Sequence, residues 1–246
     1  MPDMMNTDDQ TWSFEATDDL PDEYRSLLLK LLTEHGEVIT SRSYLAFIDN
    51  LRDRSFDLAP SEIEKVRTAN FWAEEVRHGF TFYTLLSELG AEAIVEQEST
   101  TVKFEAFNVP LESWCDIAYL NCLTDRVGVY QAGEWAESSY LPLARVSAGI
   151  VRDERGHANL GYQRLKALCE TSDGLAEASR RITYWWPAAL DMFGRSGSRR
   201  NDRYRYWGLK KCTNEELRNQ FTVEARPLLE ELAIDVPPDE EGRSYL

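Results

Sequence analysis

The chain holds three histidines, His35, His78 and His157, and two of them close the same four-residue pattern: Glu75-Val76-Arg77-His78 and Glu154-Arg155-Gly156-His157. Residues three apart on a helix are neighbours on one face, so each pattern can turn a carboxylate oxygen and an imidazole nitrogen toward one point. One such pair in an acid-rich chain is an ordinary solvated contact. Two pairs, on the second and fourth of four long predicted helices, fit the halves of a single two-metal site. Each remaining long helix must then add one carboxylate. The third offers Asp125, set among the apolar residues Ile117, Leu120, Leu123 and Val127, where an unpaired acid is costly to bury. The first offers Glu34 and Glu37, and the apolar stretch beginning at Val38 and Ile39 favours Glu37. Carboxylates with imidazoles suit iron or manganese; structural zinc normally takes fewer ligands and more sulfur. His35 lacks a carboxylate at the matching spacing and reads as a core or supporting histidine. Glu74 and Asp153, each preceding a ligand glutamate, are candidates to accept the imidazole N–H groups.

The elements that must position these residues read as helices throughout. Residues 1–20 are polar and acidic and predict a flexible arm. Pro21-Asp22-Glu23 opens a helix of about 28 residues, and Ser61 with Glu64 is a capping-box start for the next, which Gly90 ends. Residues 91–110 read as a connection. A third helix spans about Leu111 to Ser138, and Pro142 sits in the first turn of a fourth that runs to about Cys169. A fifth helix after Gly174 carries Trp185 and Trp186. The Gly-, Ser- and Arg-rich stretch 194–206 reads as a loop, and Thr213-Asn214-Glu215-Glu216 caps a last helix ending near Leu232. The expected fold is therefore all-α: a ferritin-like four-helix bundle over residues 21–238 with additional C-terminal helices, then a tail over 239–246.

Composition narrows the function classes. Forty-three acidic residues against 27 basic ones give a net charge of −16, which argues against nucleic acid as a partner, since phosphate binding needs a basic surface. No run of about 18 apolar residues predicts a membrane span. The first ten residues lack the basic-then-apolar order of a signal peptide, so a cytoplasmic location is expected. Cys115, Cys122, Cys169 and Cys212 show no zinc-type spacing and read as packing residues.

Beyond these spacings, the chain resembles the family of catalytic subunits of bacterial phenylacetyl-CoA epoxidases, multicomponent di-iron oxygenases. The similarity runs from about Pro21 to Pro238. It lies in His35-Gly36-Glu37-Val38, in Glu74-Glu75-Val76-Arg77-His78-Gly79, and in Phe107-Asn108-Val109-Pro110 followed by Ser113-Trp114-Cys115-Asp116-Ile117. It continues through Leu123-Thr124-Asp125, Asp153-Glu154-Arg155-Gly156-His157, Trp185-Trp186-Pro187-Ala188, Met192-Phe193-Gly194 and Thr213-Asn214-Glu215-Glu216-Leu217-Arg218. Two departures stand out: Gly208 occupies a position where the family tends to have lysine, and the chain ends soon after Pro238, where the family usually continues.

The resemblance selects Glu37 over Glu34 and supports Asp125. It implies two iron ions held by Glu37, Glu75, His78, Asp125, Glu154 and His157, with dioxygen as co-substrate. It further implies insertion of one oxygen atom into the aromatic ring of an aryl-CoA thioester. A structural partner protein, an oligomeric assembly and electrons from a separate NAD(P)H-dependent reductase are implied as well. The alternatives are a related oxygenase acting on another substrate such as benzoyl-CoA, and a non-catalytic structural or iron-binding protein of the same fold. A CoA substrate brings phosphates, and residues 195–211 carry seven Arg and Lys against the single acid Asp202. Lys210 and Lys211 match the family's basic stretch, and Lys30 on the first helix is a third candidate for the nucleotide; a loop that docks an acidic partner is the competing reading.

Overall fold

A computed structural model describes residues 12–40, 51–91, 106 and 109–245, with the side chains of 34–40 outside that description. Four long helices form the frame. α1 (Asp22–Thr40) starts with Asp22 and Glu23 in its first turn, where carboxylates meet the positive end of the helix dipole. Tyr24, Leu28, Leu31 and Leu32 bury one face of it against α2 (Glu62–Glu88). Ser61 caps α2 by accepting from the Glu64 amide (3.4 Å), which is half of the expected capping box, the Glu64 carboxylate going to Arg67 and Arg164 instead. Gly90 leaves the helix at φ 64°, as the glycine predicts.

α3 covers Trp114–Ala136 and contains a feature that periodicity does not reveal. Its middle turn, Leu120–Asp125, is π-helical, so the helix gains an extra residue just before Asp125. α4 (Leu141–Cys169) follows after four residues, with Pro142 in its first turn as expected. The two helices touch closely at Gly161, where a Cβ would lie 2.1 Å from the Cys122 amide nitrogen. Only glycine permits that approach.

Three further helices close the core: α5 (Ser172–Asp191), α6 (Arg199–Tyr206) and α7 (Asn214–Glu231). α6 corrects the loop reading of 194–206. Ser198 caps it by accepting from the Asn201 amide, and Asn201, Tyr204 and Trp207 form a buried i, i+3, i+6 face that the dense arginines obscure. Gly208, at φ 68°, ends it. α5 starts at Ser172, with Gly174 inside its first turn and its amide bonded to Thr171. The capping box at Thr213 and Glu216 forms as read.

One part of the core gathers Leu123, Leu165, Trp185, Trp186, Phe221 and Leu229 from α3, α4, α5 and α7. A second gathers Leu28, Leu32, Phe82, Leu86, Trp135 and Trp207. The described part of the expected arm lies along the bundle: Phe14 pairs with the backbone of Ser139 and Leu141, and Trp12 donates to the Tyr206 carbonyl. In the expected tail, Arg243 and the amides of Ser244 and Tyr245 converge on buried Asp191. The chain is all-α, a bundle of four long helices with additional helices at its C-terminal end, and no strand occurs among the described residues.

Candidate metal centre

Five of the six residues expected to bind metal have described side chains. α2 contributes Glu75 and His78, α3 Asp125, and α4 Glu154 and His157. The His78 Nδ1 lies 3.6 Å from Glu75 Oε1 and 3.4 Å from Glu154 Oε1; the His157 Nδ1 lies 3.3 Å from Glu75 Oε1. The two imidazole rings are 6.3 Å apart. Ligand atoms of Glu75, Glu154 and His157 all fall within 4.8 Å of one another. Glu37 belongs to α1, and its side chain, like those of Glu34 and His35, lies outside the described residues.

The far side of each ring is tied across the bundle. His78 Nε2 donates to Asp153 on α4 (3.3 Å), and His157 Nε2 donates to Glu74 on α2 (2.7 Å). These are the two acids that precede Glu75 and Glu154 in sequence, exchanged between helices. With Nε2–H committed to a carboxylate, each neutral ring has its lone pair on Nδ1, aimed at the shared point. There it meets carboxylate oxygens, which are also acceptors. Glu75 Oε1 and His157 Nδ1 are buried without a hydrogen-bond partner. Two acceptors facing each other need a proton or a cation between them, so this donor set fits metal ions with oxygen and imidazole preference.

The electrostatics follow from the crowding. Burial drives the Asp125 carboxyl well above its ordinary range, and the charges of Glu154 and Glu75 add to that, partly offset by His157 and the Asn121 hydrogen bond. Burial and Glu75 likewise raise Glu154 to about 7. Burial opposes protonation of His157, but the close Glu75 carboxylate, with Asp125 and Glu74, outweighs it and lifts the imidazole to about 10. His78 moves in the same direction: burial works against it, and Glu154, Glu75 and Asp153 prevail. Protons here neutralise the crowded carboxylates, a task that bound cations would take over.

Residues that spacing alone did not single out surround the centre. Phe71 packs edge-on to the His157 ring (4.7 Å) and, with Trp72 and Leu51, forms an apolar wall. Asn121, four residues before Asp125, donates to its Oδ2 (2.9 Å), a relation visible in the sequence as an i,i+4 pair. Arg164 on α4 donates to Asn121 Oδ1 (2.5 Å); no local pattern announces that contact.

The candidate nucleotide residues separate. Lys210 lines a cavity of about 460 Å³ together with Arg195, Arg200, Asn214 and Tyr204, and no described carboxylate lines it. Lys211 instead pairs with Glu137 (2.6 Å), and Lys30 lies on the exposed side of α1. Arg203 is also committed, reaching both oxygens of Glu23.

Sequence relatives extend over almost the whole chain. The 1,2-phenylacetyl-CoA epoxidase of Escherichia coli (strain K12) has a subunit that is 29% identical over 246 aligned residues, covering 94% of this chain and 75% of that protein. Benzoyl-CoA oxygenase component B of Aromatoleum evansii is 27% identical over 154 residues, covering 58% of this chain and 31% of that protein. The names mark both relatives as parts of multicomponent oxygenases. A family description, phenylacetic acid catabolic protein, matches residues 4–245. The helices that bring the two Glu/His pairs together and the helices that close the core behind them all fall within that match, and the chain belongs to the phenylacetic acid catabolic protein family.

Proposed function

We propose that this chain is the oxygen-activating subunit of a monooxygenase that acts on the aromatic ring of an aryl-CoA thioester. The observation that carries the reading is the convergence of two imidazole Nδ1 atoms on the Glu75 and Glu154 carboxylates, with each Nε2 tied to an acid of the opposite helix. Glu75, His78, Asp125, Glu154 and His157, with Glu37 from α1, are the residues that would hold two iron ions in a ferritin-like centre. Iron bound there would supply the activation of dioxygen, with two electrons delivered from outside the chain.

The protein's own residues prepare that chemistry. Asp153 and Glu74 hold the rings in the tautomer that presents Nδ1, and their negative charge makes the rings better donors. Phe71, itself backed by Trp72, covers the His157 ring. Electrons come from a separate NAD(P)H-dependent reductase; the names of both relatives support a multicomponent system with partner subunits. The cavity lined by Arg195, Arg200 and Lys210 takes the CoA phosphates, with Lys211 and Lys30 secondary. Among the described residues no helix is long and apolar enough to cross a membrane, and we place the protein in the cytoplasm.

The test is to load the chain anaerobically with Fe(II), add phenylacetyl-, benzoyl- or alkyl-CoA with a chemical reductant, admit air, and weigh the products. A gain of one oxygen atom on phenylacetyl-CoA supports the reading. Oxidation of benzoyl-CoA alone moves the substrate to that of the second relative. Failure to take up about two irons per chain favours the non-catalytic alternative. Lys210→Glu should raise KM for the thioester with kcat little changed; an unaltered KM moves the phosphate site elsewhere.

A further inference from the structure

The π-helical turn of α3 leaves Asp125 at the end of a distorted segment, and such a carboxylate needs an external constraint to keep one orientation. Three links supply it. Asn121 Nδ2 donates to Asp125 Oδ2 (2.9 Å). Arg164 Nη1 donates to Asn121 Oδ1 (2.5 Å). Arg164 is itself clamped: Nε and Nη2 reach Glu64 Oε2 at 2.9 and 2.8 Å, Nη2 approaches Thr68 Oγ1 (3.5 Å), and its guanidinium lies 4.6 Å from the centre of the Trp114 ring. Asn121, Arg164 and Asp125 are all buried.

The order of these links has a direction. Guanidinium groups only donate, so the Asn121 amide must turn its oxygen to Arg164. Its NH2 then has to face Asp125. An amide not held in this way could present either end to the carboxylate, and its oxygen beside an ionised Asp125 would repel it. We infer that Arg164 is a positioning residue for the centre: acting through Asn121, it selects the orientation in which Asp125 is offered to metal. The Glu64 and Thr68 contacts extend this control to α2, so the helices bearing both Glu/His pairs also set the third-helix carboxylate. The inference rests on Asp125 being a metal ligand.

The experiment measures Fe(II) affinity under anaerobic conditions by competition with a chromophoric chelator, for the wild type, Asp125→Asn, Asn121→Leu, Arg164→Met, Arg164→Lys and the Asn121→Leu/Arg164→Met double variant. Outer hydrogen-bond partners of metal ligands typically contribute 10–100-fold to affinity, so each of Asn121→Leu and Arg164→Met should weaken binding by about that factor. The double variant should be no weaker than the worse single one, because Arg164 works through Asn121. Arg164→Lys, which keeps a donor and the charge opposite Glu64, should recover part of the loss. Multiplying losses in the double variant, or equal losses for Arg164→Met and Arg164→Lys, would show a general packing role and overturn the inference. If Arg164→Met does not fold, as judged by circular dichroism, the cycle is run with Arg164→Lys and the same criterion of non-additivity. Wild-type protein without Fe(II) affinity, or Asp125→Asn with wild-type affinity, sinks the centre itself. Loss in Asp125→Asn beside unchanged Asn121 and Arg164 variants overturns this inference alone.

Discussion

Gly161 is where the bundle's geometry can be tested most directly. A Cβ added there lies 2.1 Å from the Cys122 amide nitrogen, 2.6 Å from the Asn121 carbonyl carbon and 2.7 Å from Cys122 Cα. Ordinary contacts between such atoms begin near 3.5 Å, so α3 and α4 must part by roughly 1.4 Å to admit one methyl group. The obstructing atoms are backbone and cannot rotate aside. Overpacking of this kind costs about 1–3 kcal/mol, and a rigid obstacle belongs at the upper end. For a chain of this size that lowers Tm by roughly 6–12 °C. Helix propensity alone acts in the opposite direction, since Ala for Gly inside a helix gains up to about 1 kcal/mol. Gly156, on the same helix with nothing near its would-be Cβ, is the control: Gly156→Ala should raise Tm by roughly 1–4 °C. Thermal melts of the metal-free proteins followed by circular dichroism decide the matter. Because Cys122 belongs to the π turn that ends at Asp125, Gly161→Ala should also weaken Fe(II) binding. A Tm for Gly161→Ala at or above the wild-type value would refute the close approach and the placement of the π turn with it.

Other consequences are as definite. At Gly128 a Cβ would come within 2.7 Å of Glu154 Oε2, the end of a movable side chain. Gly128→Ala should therefore lower Fe(II) affinity while leaving Tm almost unchanged, and an equal loss of both would contradict it. The pH dependence has a fixed sign. Glu154 rises from 4.5 to about 7 and His157 from 6.5 to about 10 on folding, so each binds its proton more tightly in the folded chain. Such stabilisation is complete below the unfolded pKa and is lost as pH climbs through the folded one. Metal-free protein should lose stability between about pH 4.5 and 7 through Glu154 and between about 6.5 and 10 through His157, and bound metal should flatten the profile; a metal-free Tm that climbs with pH would oppose this. Finally, Asp116 is fully buried and accepts from Arg181, Trp185 and the amides of Glu112 and Ser113. Asp116→Ala removes the buried acceptor shared by Arg181, Trp185 and two amides, while Arg181 keeps Glu112 (2.8 Å) and the Pro110 carbonyl (2.7 Å). Urea titration should therefore show a loss of about 1–3 kcal/mol, and a loss below about 0.5 kcal/mol would contradict the buried network.

The repeated Glu-x-x-His pattern was legible because a helix has a fixed period: residues three apart share a face whatever surrounds them. The same local rule exposed the helix starts at Ser61 and Thr213, the stop at Gly90, and Glu74 and Asp153 as companions of the rings. α6 was missed because its arginines point outward and dominate the composition, while only Asn201, Tyr204 and Trp207 carry the buried face. The π turn has no signature in spacing. It places Asp125 by inserting one residue into a helix whose apolar pattern reads equally well without it.

Short-range order along one helix is thus written in the residue spacing, since hydrogen bonds and side-chain directions repeat every turn. What passes between helices is not. That His78 binds Asp153 and His157 binds Glu74, that Arg164 turns Asn121 toward Asp125, and that Gly161 lets two backbones meet all depend on how the helices pack. Packing is settled by the whole core at once, because a side chain's partner across the bundle is chosen by the depth, rotation and separation of two helices.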